Sequence, residues 1–175
     1  PPASHELIDR LLVLIEAGGM HPLLVLNKVD LPGARETALG LAPLYRGLGY
    51  RTFVVSAVSR EGLEELRAET QSGTSALIGP SGVGKSSLLN ALDPGLALRT
   101  GELSAKTGTG RHTTVSSRLL ALEGGGYVAD TPGFGEIALW GVAPDEVARC
   151  FPELGAHAEA CRFRGCTHVH EPGCG

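Results

Sequence analysis

Apolar and polar positions along the chain follow two periods, one typical of helices and one typical of buried strands. From Leu7 to Ile15 the apolar residues recur at helix spacing, and short apolar runs such as the one after Pro22 are typical of buried parallel strands. This alternation predicts an α/β fold with a doubly wound, mostly parallel sheet. The predicted helices are 7–15, 34–46, one through Leu63 and Leu66, and 85–92; the predicted strands are 23–26, 52–56, 74–79, 119–123 and 127–130.

Composition narrows the class of protein without naming a function. Lys and Arg number 15 against 19 Asp and Glu, which gives a net charge of −4 over 175 residues. This balance excludes nucleic-acid binding through overall charge, although local basic patches remain open. No apolar run approaches the roughly 20 residues that cross a bilayer, so no membrane contact is expected. The chain is expected to be a monomer and a piece of a longer protein.

A phosphate-binding loop is predicted between a strand and a helix. The segment fits the pattern G-x-x-x-x-G-K-[ST], in which backbone N–H groups surround phosphates at the positive end of a helix. Lys85 would reach the β- and γ-phosphates, and the Ser86 hydroxyl would bind Mg²⁺. An ordinary glycine turn is the alternative. The candidate phosphate-binding residues are Gly79, Pro80, Ser81, Gly82, Val83, Gly84, Lys85, Ser86 and Ser87.

Asp130 ends an apolar run and opens the tetrapeptide Asp-Thr-Pro-Gly. An acidic residue at the carboxyl end of a strand can orient a water molecule of the Mg²⁺ shell, and the N–H of Gly133 can meet a γ-phosphate. The same four residues are also a common turn. Their position 45 residues after Lys85 favours the nucleotide interpretation.

A guanine-specific pair of loops precedes the phosphate loop. Asp30 can accept both the ring N–H and the amine of guanine, Asn27 can meet the other edge of the base, and the Lys28 stem can cover its face. Ser56 and Ala57 are expected to supply a backbone N–H to the guanine oxygen. The alternative is a polar loop after a strand. In ordinary GTPases this order is reversed, so the sequence predicts a circularly permuted GTPase.

The last fifteen residues predict a structural zinc site. Cys161, Cys166, His168 and Cys174 offer three thiolates and one imidazole, a closed tetrahedral set for Zn²⁺. Unrelated free thiols are the alternative, and His157 and His170 compete with His168 for the imidazole position. Cys150 lies outside the cluster and is interpreted as a small buried residue.

Several motifs in this order resemble one known family. NKVD, GPSGVGKSS, GRHTT, DTPGF and the cysteine–histidine tail ending in HEPGC are similar to those of the circularly permuted, small-ribosomal-subunit-dependent GTPases (RsgA/YjeQ). The resemblance implies a cytoplasmic bacterial enzyme that hydrolyses GTP to GDP and assists late maturation of the small ribosomal subunit. It also implies a GTPase domain over 1–143, lacking its first strand and the family's N-terminal OB-fold, and a truncated zinc-binding subdomain over 144–175.

A candidate catalytic group lies in the Gly-, Ser- and Thr-rich segment 99–118, which is predicted to be a switch loop that docks on ribosomal RNA. Phe134 occupies the position where many GTPases carry a Gln that orients the attacking water. We therefore expect another polar group, His112, to position this water, with Thr114 closing on Mg²⁺ and Thr113 as the alternative ligand. A role of His112 in RNA contact alone is the competing interpretation.

Two other functions remain open on sequence grounds. A P-loop ATPase or small-molecule kinase would lack the Asn-Lys-x-Asp motif and would need a lid over its substrate. A zinc-bearing RNA-binding module with a vestigial nucleotide site would bind small subunits without turnover. Selective binding of guanine nucleotides would distinguish a GTPase from the ATPase or kinase. GTP hydrolysis stimulated by small subunits would distinguish it from the RNA-binding module.

Overall fold

The computed structural model describes residues 3–96, 98, 118–130 and 141–175, in which helices and strands alternate. Within these ranges no helix is both long and apolar enough to cross a membrane. The helices are α1 (His5–Ala17), α2 (Ala34–Gly47), α3 (Leu63–Thr70), α4 (Lys85–Leu92), α5 (Pro144–Val147) and α6 (Pro152–Ala158), with single 3-10 turns at Pro94–Leu96 and Ala148–Cys150. The strands are β1 (Leu23–Leu26), β2 (Arg51–Val54), β3 (Thr74–Ala76), β4 (Arg118–Ala121) and β5 (Tyr127–Asp130).

The predicted elements agree with the observed ones except at their ends. The strand predicted over 74–79 stops at Ala76, since its pairing with β5 ends there and the chain turns into the phosphate-loop segment. Arg118 begins β4, so the predicted loop is shorter by one residue. The remainder of that loop, 99–117, lies outside the described residues.

The described strands form two small sheets. β1 pairs in parallel with β2, and β5 pairs in parallel with β3 and antiparallel with β4. Two of these three pairings are parallel, as the alternation of strands and helices predicts. The third is antiparallel because β4 and β5 are joined by the short turn 122–126, which can connect only antiparallel neighbours.

Two apolar clusters hold the helices against the strands. The first joins α1 and α2 to β1, and in it Tyr45 is almost completely buried while its hydroxyl donates a hydrogen bond to Asp9 Oδ1 at 2.7 Å. Burial and this carboxylate raise the pKa of Tyr45 well above its usual range. The second cluster packs Phe53 and Val55 against α3 and α4. It therefore connects the strand β2 to the helix that follows the phosphate-loop segment.

The turn between β4 and β5 is fixed to the end of α4 by one buried carboxylate. Asp93 Oδ1 accepts the N–H of Gly95 at 2.9 Å, and Oδ2 accepts the N–H of Glu123 at 2.8 Å. Gly126 in the same turn lies so close to α3 that a Cβ there would stand 2.4 Å from the Thr70 carbonyl oxygen. The position of the β4–β5 turn therefore depends on the Asp93 carboxylate and on the absence of a side chain at Gly126.

We expect Asp93→Ala to lower the free energy of unfolding by about 2 kcal/mol, because two backbone N–H groups lose a charged acceptor at a buried position. Denaturant unfolding of the variant and of the unchanged chain measures the difference. Glu64→Ala, at an exposed position of α3, is the control and should change stability by less than about 0.5 kcal/mol. Equal stability of the Asp93 variant and the control would contradict the proposed anchoring.

Candidate functional site

The segment from Gly79 to Gly84 forms a loop between β3 and α4, and Lys85 and Ser86 begin the helix. Gly82 and Gly84 have φ angles of 81° and 97°, a left-handed conformation that residues with a Cβ rarely adopt. Lys85, the first residue of α4, folds its side chain back across the loop, and its Nζ donates to the carbonyl oxygens of Gly79 at 2.7 Å and Pro80 at 3.0 Å. Ser86 follows in the first turn of the helix. This arrangement presents the N-terminal end of α4 and one ammonium group at the same place.

The Asn27 side chain connects three parts of the chain that are distant in sequence. Its Nδ2 donates to the carbonyl oxygen of Val83 at 3.1 Å, and its Oδ1 accepts the N–H groups of Lys28 at 2.8 Å and Ala57 at 3.2 Å. A Cβ on Gly84 would stand 2.7 Å from Nδ2. The glycine is therefore required for this close approach as well as for its own left-handed conformation.

Lys28 lies against the same loop. Its φ angle is 70°, unusual for a residue that carries a side chain, and its Nζ donates to the carbonyl oxygen of Gly82 at 2.5 Å. The side chain therefore lies along the phosphate-loop segment, where its aliphatic stem can cover a planar group.

Asp30 is held in place by a buried serine. The Ser56 hydroxyl donates to Asp30 Oδ1 at 2.5 Å and accepts the N–H groups of Val58 at 3.2 Å and Ser59 at 3.0 Å. Ser56 is fully buried while Asp30 is exposed, so the hydroxyl orients a carboxylate that still faces solvent. The N–H of Ala57, one of the two residues predicted to supply a donor to the guanine oxygen, donates to Asn27 Oδ1 at 3.2 Å in this structure.

An ion pair that the sequence did not predict connects α2 to the loop between β2 and α3. Arg35 donates to both carboxylate oxygens of Glu61, at 2.8 and 2.5 Å. These bonds lower the pKa of Glu61 and raise that of Arg35, both at exposed positions. The Glu61 carbonyl oxygen also accepts the Ser56 N–H at 3.0 Å. Arg35 and Glu61 are 26 positions apart, so no local sequence pattern predicts their contact.

The remaining nucleotide-site predictions fall near or beyond the edge of the described chain. β5 ends at Asp130, and its neighbour Ala129 pairs with Ala76, three residues before the phosphate-loop segment. The backbone of Asp130 is therefore at the same sheet edge as that segment. The predicted residues His112, Thr113, Thr114 and Gly133 lie outside the described residues.

The tail brings together the four predicted metal ligands. One sulfur or nitrogen from each of four residues lies within 4.8 Å of all the others, and these residues are Cys161, Cys166, His168 and Cys174. His168 contributes Nδ1, which is 3.5 Å from the Cys161 sulfur and 3.4 Å from that of Cys174. Neither His157 nor His170 belongs to this group. Three sulfurs and one imidazole at this spacing suit tetrahedral coordination of a divalent metal.

Cys166 lies among the sulfurs of the metal-ligand group, whereas Cys150 is buried outside that group. At Cys166 the backbone N–H of His168 lowers the thiol pKa, but burial and the neighbouring sulfurs of Cys161 and Cys174 raise it to about 11 overall. Cys150 is buried, its thiol lies 3.4 Å from the Glu146 carbonyl oxygen, and burial raises its pKa too. Cys150 is thus apart from the cluster, as its sequence position suggests.

Known proteins match this chain over nearly all its length. It is 48% identical over 174 residues to each of two proteins named small ribosomal subunit biogenesis GTPase RsgA, from Moorella thermoacetica and Gemmatimonas aurantiaca. The match covers 99% of this chain but 59% and 56% of the two relatives. The chain therefore spans less than two thirds of the length of these relatives.

Two solved structures share the fold. YjeQ from Thermotoga maritima is 38% identical, with a TM-score of 0.80 over 98% of this chain and 57% of the other. YloQ, described as a circularly permuted GTPase, is 34% identical, with a TM-score of 0.74 over 99% of this chain and 55% of the other. These matches confirm the α/β fold and the circular permutation predicted from the order of motifs. The model of the RsgA GTPase family matches residues 1–140, and the chain belongs to that family.

Proposed function

We propose that the chain carries the catalytic domain of a GTPase that hydrolyses GTP to GDP and phosphate with Mg²⁺. The observation that carries this proposal is the contact of Asn27 with Val83 and Ala57, because it ties a guanine-recognition loop to a phosphate-binding loop. A nucleotide whose phosphates lie at the N-terminus of α4 then has its base beside Asn27 and Asp30.

The phosphate-loop segment provides the charge that a triphosphate requires. Backbone N–H groups at the start of α4 carry partial positive charge, and Lys85 adds a full charge at the same end. When phosphates bind, Lys85 exchanges the carbonyl oxygens of Gly79 and Pro80 for phosphate oxygens. Ser86 binds Mg²⁺, with Thr114 as the second protein ligand and Asp130 orienting water in the metal's shell.

Base selectivity rests on Asp30. One of its oxygens accepts the Ser56 hydroxyl, and the carboxylate is exposed, so it retains lone pairs for the ring N–H and the amine of guanine. Adenine lacks this pair of donors. The Lys28 stem covers the face of the base, and Asn27 meets its other edge.

Asp30→Asn should weaken GTP binding about 100-fold, because two charge-assisted hydrogen bonds are lost, and should shift preference towards XTP. The asparagine oxygen can still accept the Ser56 hydroxyl, so its NH₂ faces the base and suits the extra carbonyl of xanthine. Titration with fluorescent GTP and XTP analogues measures both affinities. Glu64→Gln is the charge-matched control, and a GTP affinity of the Asp30 variant equal to that control would disprove the assignment.

The partner of this GTPase is the small ribosomal subunit and its rRNA. Support comes from the relatives, which are named small ribosomal subunit biogenesis GTPases. In the tail, Phe163 is 49% exposed and the Arg162 guanidinium carbon lies 5.4 Å from the centre of its ring, a pair that can stack on unpaired bases. The enzyme acts as a cytoplasmic monomer in late subunit maturation.

Hydrolysis depends on His112. Phe134, at the position after the Asp-Thr-Pro-Gly motif, has no group that can orient water. His112 precedes Thr113 and Thr114, so a threonine that closes on Mg²⁺ brings its imidazole near the γ-phosphate. The basal rate is therefore slow and rises when the small subunit brings His112 to the γ-phosphate.

His112→Ala should reduce subunit-stimulated GTP turnover at least about 100-fold, as expected for loss of a general base or water-positioning group. Phosphate release with and without small subunits gives the rate, while nucleotide titration and co-sedimentation should show unchanged GTP and subunit binding. His21→Ala, at an exposed position before β1, is the matched control. Turnover that survives, or that falls only with subunit binding, would contradict the role of His112. Full subunit binding by the unchanged protein without any turnover would indicate a vestigial nucleotide site.

A structural Zn²⁺ completes the tail, which forms a subdomain over 144–175 beside the GTPase domain over 1–143. The three sulfurs and Nδ1 of His168 fill all four positions of a tetrahedral site and leave no open position for catalysis. When bound, the ion stabilises deprotonated thiols that otherwise crowd one another.

We expect one Zn²⁺ per chain in protein purified without chelator, as measured by elemental analysis. Chelation should unfold the tail and leave the nucleotide domain largely intact, because the four ligands all lie within 161–174. Circular dichroism and GTP affinity before and after chelation separate the two effects. Protein that contains no zinc, or that loses GTP binding together with the metal, would contradict this division.

A further inference from the structure

The backbone around the metal ligands has no regular secondary structure to hold it. The described tail from Cys161 to Gly175 contains neither helix nor strand, so its N–H groups need other acceptors. The Arg162 N–H donates to the carbonyl oxygen of Gly173 at 2.9 Å, and the Gly175 N–H donates to the Cys161 sulfur at 3.3 Å. These contacts close the ends of the loop but do not fix its middle, where His168 lies.

One carboxylate holds the middle of the loop. Glu171 Oε1 accepts the Thr167 N–H at 2.8 Å and the Thr167 hydroxyl at 2.5 Å. Its Oε2 accepts the N–H groups of Val169 and His170, both at 3.2 Å. Three backbone donors and one hydroxyl therefore converge on a single side chain. A cluster of backbone N–H groups of this kind is a binding site for an anion, and here the anion belongs to the chain itself.

These hydrogen bonds enclose the metal-binding histidine on both sides. His168 has a φ angle of 60°, a left-handed conformation that is unfavourable for a residue with a side chain. Glu171 accepts the N–H groups of Thr167, just before His168, and of Val169, just after it. These bonds oppose relaxation of the left-handed conformation. In this conformation His168 Nδ1 lies 3.4–3.5 Å from two of the cluster sulfurs.

The carboxylate is charged where it makes these contacts. Hydrogen bonds from the Thr167 hydroxyl and backbone, and from other N–H groups of the loop, hold the pKa of Glu171 far below its usual range. An ionised carboxylate accepts at both oxygens, as four donors require.

We propose that Glu171 is a positioning residue for the metal site, which fixes the left-handed backbone of His168 and thereby aims Nδ1 at the sulfurs of Cys161 and Cys174. The inference rests on the proposed zinc site but is independent of nucleotide hydrolysis. Glu171 is not itself a ligand. Its contribution is a ligand geometry that exists before the metal arrives, which raises metal affinity by reducing the cost of ordering the loop.

The first test compares the zinc affinity of two variants in the full chain, by competition with a chromogenic chelator. Glu171→Ala should bind Zn²⁺ about 10- to 100-fold more weakly, the usual effect of losing a group that orients a ligand. Glu159→Ala is the matched control, because it removes the same charge from an exposed position just after α6. An equal loss in both variants would mean that Glu171 acts only through long-range charge, and no loss in either would also overturn the proposal.

Milder substitutions keep the test valid if Glu171→Ala fails to fold. Glu171→Gln keeps one accepting oxygen but turns an NH₂ group towards N–H donors, so zinc affinity should fall by an intermediate factor. Thr167→Val removes a single hydroxyl donor and should cost only a few-fold.

Cobalt substitution provides a readout of geometry. If Glu171 positions His168, the d–d absorption bands of the Co²⁺-loaded Glu171→Gln variant should differ from those of the unchanged chain, while those of Glu159→Ala should not. Unchanged spectra in all variants would overturn the proposal. Absence of zinc from the unchanged chain would refute the metal site itself, a result distinct from normal zinc binding by the Glu171 variants.

Discussion

The nucleotide-site geometry depends above all on the Asn27 side chain, which hydrogen-bonds across three loops at once. Its amide donates to the carbonyl of Val83 and accepts the N–H of Ala57, so it connects the loops after β1, after β2 and before α4. A circular permutation changes the order in which these loops are synthesised but not their neighbours in space. The contacts made by Asn27 are what the permutation must preserve, and they require a glycine at position 84 because a Cβ would displace the amide.

Much of this site could be predicted from the sequence because its parts are local patterns. The phosphate-loop segment is marked by Gly82 and Gly84, which adopt left-handed conformations, and by the charged Lys85. The ligands of the tail are marked by their spacing. Short buried strands between helical periods likewise indicate β1 and β2, since a parallel strand covered on both faces needs only apolar residues.

What could not be predicted is the set of contacts between residues that are far apart or chemically ordinary. The Arg35–Glu61 pair joins residues without a shared motif, and the division of the strands into two sheets depends on where hydrogen bonding stops. The hydrogen bond from the Ala57 N–H to Asn27 Oδ1 likewise joins residues that are 30 positions apart in the sequence. Sequence patterns identify donors and acceptors; only the packing of the loops decides which of them meet.

The nucleotide site and the tail both contain irregular backbone, but different contacts hold it in place. Around the nucleotide site, loops are anchored to strands and to α4, so side chains such as Asn27 and Ser56 need only make the last connections. The tail has no such scaffold. Backbone contacts hold the ends of its loop, and the Glu171 carboxylate holds its middle, beside the four side chains that we propose as metal ligands. A loop anchored to strands and helices can tolerate the loss of its ligand, whereas a loop that is held by a few hydrogen bonds depends more on the ligand for its order. The tail is therefore the part of the molecule whose folding we expect to be coupled to binding of the proposed metal.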